Sequence, residues 1–129
     1  MSDPIVTGVD FLSVGTRDIE AAKAFYGETL GMHCSTAYGR SPGAEFETGN
    51  LTLQVIDSAA HGIEFQARTH PVALHVTDVA VARAALEERG VRFLGDTIDT
   101  SVCHMAVFQD PDGNVLMLHH RYAPRAPQA

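Results

Sequence analysis

Hydrophobic and polar positions in the first half of the chain predict one strand, one helix and three further strands. A strand-like run begins at Val9 and ends in a polar step at Asp18, and apolar residues then recur at helical spacing over residues 20–30. Gly31 is expected to end this helix, because glycine readily adopts the left-handed conformation of a helix terminus. Three short runs predict strands over about residues 32–37, 44–48 and 51–56, with turns at 39–43 and at Gly49-Asn50.

The second half repeats the same order of elements. A strand-like run over residues 71–76 leads to Asp78, and the helix predicted over 80–89 is expected to end at Gly90. Each half therefore predicts the order β-α-β-β-β. The last three strands of the second half are predicted over about 92–94, 102–109 and 115–120, with a tight turn at Asp110-Pro111-Asp112-Gly113-Asn114. Within one domain of residues 1–129, we distinguish module one (about 5–56), a connector (57–70), module two (about 71–120) and a tail (121–129).

Composition narrows the class of protein. The chain has 129 residues, a hydrophobic share of 45% and a formal net charge of −7, which together predict one small acidic globular domain. Such a charge disfavours nucleic acid as a partner and attracts cationic small molecules at long range. No apolar run approaches the length of a membrane span, and the start lacks a basic region before an apolar run, so we expect a cytoplasmic protein with no membrane partner.

The double β-α-β-β-β pattern resembles the vicinal oxygen chelate superfamily. This superfamily includes glyoxalase I, extradiol dioxygenases, fosfomycin resistance enzymes and bleomycin resistance proteins. The matching motifs are Asp18-Ile19 leading to Phe25-Tyr26 and Leu30-Gly31-Met32 in the first half, and the segment from Asp110 to Leu116 in the second. The resemblance implies an α+β fold in which two βαβββ modules form a curved, partly open mixed sheet around a cavity, and it implies a homodimer.

The same resemblance implies where a metal would bind. Metal-using members place two histidines and one carboxylate at positions that correspond here to Phe11, Pro71 and Met117. None of these side chains suits a hard divalent cation, so we expect no metal and no other cofactor. His70 stands one residue before Pro71, but a one-residue shift along a strand turns the side chain to the opposite face unless a β-bulge intervenes.

Strand alternation predicts which residues line the cavity, because the three metal positions face it and alternate residues share their face. His75 and His119 are the most informative of these residues. Both are predicted to project into one cavity, where imidazoles bind or protonate a ligand, form a soft metal site with Cys103, or hydrogen-bond to another side chain or water. The predicted ligand-binding residues are Phe11, Ser13, Gln54, His75, Cys103, Met105, Met117 and His119.

These observations leave three functions open. The leading hypothesis is a metal-independent protein of the glyoxalase/bleomycin-resistance type that binds a small organic ligand and sequesters an aromatic or cationic compound. The alternative is an enzyme of the same superfamily, a lyase, isomerase, epimerase or dioxygenase, with an atypical site around His75 and His119. A third possibility is an interaction module whose cavity is filled by side chains.

Overall fold

A computed structural model describes residues 3–38 and 42–125. Two four-stranded mixed sheets, with helical segments between their strands, make up this part of the chain, which confirms the α+β class and the repeated order of elements. The chain divides into two compact units, Met1–Phe65 and Gln66–Ala129, and the boundary falls within the predicted connector. Residues 39–41 of the first predicted turn and 126–129 of the predicted tail lie outside the described residues.

The first unit forms a mixed sheet in which the first strand lies at one edge. Its strand order is β1-β4-β3-β2, and β1 runs parallel to β4 whereas the other pairs are antiparallel. Asp18 begins the helix by accepting a 3.1 Å hydrogen bond from the Ala21 amide, which stabilises a helix N-terminus. The elements are β1 (Phe11–Thr16), α1 (Ile19–Ala24), a π-helical turn (Phe25–Thr29), β2 (His33–Ala37), β3 (Gly43–Glu47), β4 (Thr52–Asp57) and a 3-10 turn (Ala59–His61).

The second unit has the same topology. Its strand order is β5-β8-β7-β6, again with the first and last strands of the unit parallel. Asp78 accepts a 3.0 Å hydrogen bond from the Val81 amide and begins the second helix as Asp18 begins the first. The elements are β5 (Val72–His75), α2 (Val79–Glu88), β6 (Ile98–Asp99), β7 (Cys103–Gln109) and β8 (Val115–Arg121). No helix formed by residues 3–38 and 42–125 has the length and apolar character needed to cross a lipid bilayer.

One face of each sheet packs against its helical segment and forms the core of that unit. In the first unit the ring of Tyr26, in the π-helical turn, lies 5.9 Å from the Phe46 ring of β3, and both residues are buried. In the second unit, Val79 and Leu86 of α2 are buried on the side of β7 and β8. The buried strand residues are Val14, Ala44, Phe46, Leu53 and Val55 in the first unit and Ala106, Phe108, Leu116 and Leu118 in the second.

Two elements differ from the sequence prediction. The first helix changes at Phe25 into a π-helical turn, in which the Leu30 amide donates to the Phe25 carbonyl at 2.9 Å. The strand predicted over residues 92–94 is reduced to a single bridge between Phe93 and Phe108, and the edge strand forms at Ile98–Asp99 instead. The ring of Phe93 packs 5.2 Å from the ring of Phe108.

The predicted turn after β7 is held by its own side chains. Asp110 accepts hydrogen bonds from the amides of Asp112 and Asn114, both at 2.9 Å, and Gly113 has a φ of 87°, which glycine tolerates best. The buried Asn114 side chain donates to Asp110 at 2.8 Å and accepts from the Arg68 amide at 2.8 Å. The turn therefore fixes the connector beside the start of β8.

Candidate functional site

The predicted ligand-binding residues of the first unit lie on the sheet face opposite the core. Phe11 and Ser13 of β1 alternate with the buried Val14, and Gln54 of β4 lies between the buried Leu53 and Val55. The β1–β4 register places Ser13 directly beside Gln54, and the Ser13 hydroxyl donates to Gln54 Oε1 at 2.6 Å. Phe11 is 51% exposed.

Gln54 belongs to a longer chain of hydrogen bonds that the sequence prediction missed. Its amide nitrogen donates to the Tyr38 hydroxyl at 2.9 Å, and that hydroxyl donates to Oε2 of Glu45 at 2.7 Å. Burial raises the pKa of the Tyr38 phenol, and the hydrogen bond to Glu45 raises it further. The phenol therefore stays protonated near neutral pH and orients Gln54 toward Ser13.

A second carboxylate, Glu47, lies on the same face of β3 as Glu45. It accepts hydrogen bonds from the hydroxyls of Ser35 at 2.5 Å and Thr52 at 2.7 Å. The hydrogen bond from Ser35, followed by that from Thr52, lowers the pKa of Glu47. Strand alternation from the buried Ala44 and Phe46 is the sequence signal that points to both glutamates.

In the second unit, His75 and His119 are cross-strand neighbours. The parallel β5–β8 register pairs them directly, and the antiparallel β7–β8 register pairs His119 with Met105. Met117 lies two residues earlier on β8, beside Val107 of β7. Strand alternation assigns these residues to the face opposite the buried Leu116 and Leu118.

The two imidazoles have different surroundings. The ring of His75 lies 5.8 Å from the ring of His120, whose Nδ1 lies 3.1 Å from the Val76 carbonyl oxygen. Neither His75 nor His119 forms a side-chain hydrogen bond with the described part of the chain. Cys103, paired with Arg121 at the end of β7, is a buried free thiol.

The residues at the family's metal positions do not fit the metal that the family implies. Phe11 and Pro71 offer no donor atom, and Met117 offers only a thioether, which is a poor ligand for a hard divalent cation. Residues 3–38 and 42–125 contain no group of three histidine, cysteine or acidic side chains that could hold a metal ion. His75, His119 and Cys103 do not belong to any such group in these ranges.

A polar cluster lies at the free edge of the second sheet. The Tyr122 hydroxyl donates to Asp99, whose other carboxylate oxygen is 3.4 Å from Nε2 of His104. The hydrogen bond from Tyr122, followed by that from the Ser101 amide, lowers the pKa of Asp99. The sequence prediction missed this cluster because β6 has only two residues and therefore no readable periodicity.

Comparisons with known proteins agree with this architecture. The family model described as Glyoxalase/Bleomycin resistance protein/Dioxygenase superfamily matches residues 8–118. The YwbC protein of Bacillus subtilis (strain 168) is 25% identical over 122 residues, which cover 88% of this chain and 97% of that protein.

Two solved structures from Streptomyces sp. CB03234 are each 29% identical to this chain. TnmS3, described as an antibiotic binding protein, has a TM-score of 0.77, with 92% of this chain and 99% of that chain covered. A glyoxalase/bleomycin resistance protein has a TM-score of 0.71, with 88% and 100% covered. With the family model spanning most of the sequence, the chain belongs to the Glyoxalase/Bleomycin resistance protein/Dioxygenase superfamily.

Proposed function

We propose that this protein binds a small organic molecule without a metal ion and sequesters it without chemical change. The observation that carries the proposal is the side-chain set Phe11, Pro71 and Met117 at the three positions where metal-using relatives hold their ligands. The likeness to TnmS3, an antibiotic binding protein, supports the same conclusion.

On the face of the second sheet opposite its core, the side chains suit an aromatic ligand. Met105 and Met117 are flexible and polarisable, and thioethers make favourable contacts with aromatic rings. His119 lies beside Met105, and its ring is free to hydrogen-bond with a ligand. A cationic group on the ligand would be favoured at long range by the net charge of −7.

Ligand-dependent stabilisation tests the proposal. The purified protein is heated with a panel of planar aromatic and cationic compounds, and binding is expected to raise the Tm. At a ligand concentration of about 100 times Kd, the free energy of unfolding rises by about 2.7 kcal/mol. Met117→Ala and His119→Ala should reduce the shift, whereas Val81→Ala, on an exposed part of α2, should retain it.

Two further measurements separate sequestration from the enzyme alternative. Elemental analysis is expected to give well under one transition metal per chain, and a chelator should leave the ligand's Kd unchanged. NMR of the bound compound should show the same molecule after prolonged incubation. One metal per chain with loss of binding in chelator, or conversion of the ligand that His75→Ala or His119→Ala abolishes, would contradict the proposal.

A further inference from the structure

Arg121, at the end of β8, has a guanidinium with few partners. It lies on the same strand face as His119 and Met117, and its register partner on β7 is Cys103. Its Nε is shielded from solvent and has no hydrogen-bond partner within residues 3–38 and 42–125. One terminal nitrogen donates to the Pro124 carbonyl at 3.5 Å, the long limit for such a bond.

Arg83 shows what a fully paired arginine looks like in the same unit. Its terminal nitrogens donate to the Thr97 hydroxyl at 3.2 Å and the Gly95 carbonyl at 2.9 Å. Its Nε is 3.6 Å from the Glu87 carboxylate, and its guanidinium lies 4.7 Å from the centre of the Phe93 ring. Arg121 has no such set of contacts, although a shielded, unpaired donor is costly to keep.

The surroundings of Arg121 are rich in donors and lack a neutralising acid. His119 lies two residues away on the same face, at about 7 Å, and His75 is paired with His119 on the next strand. No carboxylate in the described ranges forms an ion pair with Arg121. A cation and the His119 imidazole, which has no hydrogen bond of its own, therefore share one end of this sheet face, in a chain whose net charge is −7. His75 borders this end from β5, with its ring beside that of His120.

We propose that Arg121 and His119 form a subsite for an anionic oxygen group, a carboxylate or a phosphate, carried by the ligand. The planar guanidinium matches such a group with two parallel hydrogen bonds, and an imidazole supplies a further donor. This inference rests on the proposed small-molecule binding and specifies the ligand as an aromatic acid or aromatic phosphate. The local cation opposes the preference for cationic ligands that the overall charge predicts.

Arg68 is the other described residue whose Nε is shielded and unpaired. It lies beside Val115, at the opposite end of β8 from Arg121, where its backbone carbonyl accepts from the Val115 amide at 3.0 Å. No imidazole of β5 or β8 stands at that end of the sheet. Arg68 therefore lacks the second donor that makes Arg121 part of a subsite.

The test measures by NMR the binding of four probes to the 129-residue chain: benzoate, phenyl phosphate, inorganic phosphate and the neutral benzyl alcohol. We expect benzoate and phenyl phosphate to bind more tightly than benzyl alcohol and to shift the side-chain resonances of Arg121 and His119. Competition by inorganic phosphate shows that the anionic group alone is recognised. Arg121→Gln keeps one donor group but loses the charge and one of the two parallel hydrogen bonds. It should weaken binding of the aromatic anions roughly tenfold, with little effect on benzyl alcohol.

Two control variants make the result interpretable. Arg92→Gln removes the same charge from an exposed position outside the sheets and should leave all four affinities unchanged. Arg121→Lys keeps the charge without the planar fork and should restore part of the affinity, and amide spectra check that each variant is folded. Equal binding of benzoate by wild type and Arg121→Gln, or anion affinities no higher than that of benzyl alcohol, would overturn the subsite. If benzyl alcohol still shifts Met117 and His119, the proposed function survives that result, whereas no binding by any aromatic probe contradicts both.

Discussion

The Tyr122 hydroxyl donates a 2.7 Å hydrogen bond to Oδ1 of Asp99, which joins the residue after β8 to the free edge strand β6. The same oxygen accepts from the Ser101 amide at 2.9 Å, and the rings of Tyr122 and His104 lie 4.8 Å apart. Asp99 is thus the centre of the contacts that hold a two-residue strand in place. These contacts add to the β6–β7 ladder and to the hydrogen bonds from Arg83 to Thr97 and Gly95 just before the strand.

Tyr122→Phe should lower the Tm at neutral pH, because it removes the donor to Asp99. The pKa of Asp99 is lower in the folded state than its ordinary value of about 3.9, so the ionised carboxylate stabilises the fold at pH values above about 3.9. This stabilisation is lost as the pH falls through the lower pKa of the folded state. The raised pKa of Tyr122, caused first by its hydrogen bond to Asp99, adds stability below about pH 10 that is lost at higher pH. Thermal unfolding across pH should therefore show the largest difference between wild type and variant from about pH 4 to 10.

A control for this prediction is Asp96→Asn, which removes a nearby exposed charge without a hydrogen bond in the cluster. Its effect on Tm should be small across the whole pH range. A Tyr122→Phe effect that persists unchanged in strong acid would show that the Asp99 contact is not its cause.

Asn114→Ala should be strongly destabilising. The substitution leaves the Arg68 amide and the Asp110 carboxylate without their buried partner, and we expect a loss of about 2–3 kcal/mol in the free energy of unfolding. Denaturant unfolding measures this loss. Gln109→Ala, at the exposed end of β7, serves as the control and should change stability by less than about 0.5 kcal/mol. Similar losses in the two variants would contradict a role for Asn114 in holding the connector.

Gly15→Ala should destabilise the first unit through a steric clash. A Cβ at this position would lie 2.5 Å from Ser58 Oγ and 3.7 Å from the Phe65 ring. Overpacking of this kind costs about 1–3 kcal/mol, and the double variant Gly15→Ala with Ser58→Ala should recover part of it. Gly8→Ala has nothing within 4 Å of the added carbon and should be nearly neutral. Strictly additive losses in the Gly15/Ser58 pair would rule out the clash as the cause.

The Tyr38 phenol should titrate above its ordinary pKa of about 10. Glu45→Gln removes an ionised hydrogen-bond acceptor and should move the midpoint downward, whereas Gln54→Leu removes a donor that favours the phenolate and should move it upward. NMR of isotope-labelled tyrosine follows this titration. If the hydrogen-bond chain shifts the pKa of Tyr38, the two variants must move the titration midpoint in opposite directions. Equal midpoints in the two variants would exclude the chain as the cause of the shift.

The repeated order of strands and helices could be predicted from the sequence because most of these elements show a clear hydrophobic periodicity. Alternation around Val14 and Leu53 was sufficient to place Ser13 and Gln54 on one face, where they hydrogen-bond. Tyr38 could not be placed in this way, because the β2–β3 register shifts between Cys34 and Thr36. Binding by the predicted residues and the expected homodimer both stay predictions.

The unpaired Nε of Arg121 could not be predicted from hydrophobic periodicity. Alternation assigns its face, but the shielding of Nε follows from how the chain turns after β8 toward Pro124. The two-residue strand at Ile98–Asp99 is similar, since its position depends on pairing with His104 and Met105. Tertiary contacts set both features.

The parallel pairing of the first and last strands in each unit has a consequence during synthesis. β1 cannot complete its ladder until Asp57 of β4 has left the ribosome, and β5 must wait in the same way for β8 as far as His119. Until then β1 and β5 are unpaired, and the backbone groups of an unpaired strand can form hydrogen bonds with another chain. The first unit can pair β1 with β4 before β8 of the second unit has left the ribosome, so in the duplicated layout the two parallel ladders are completed one after the other.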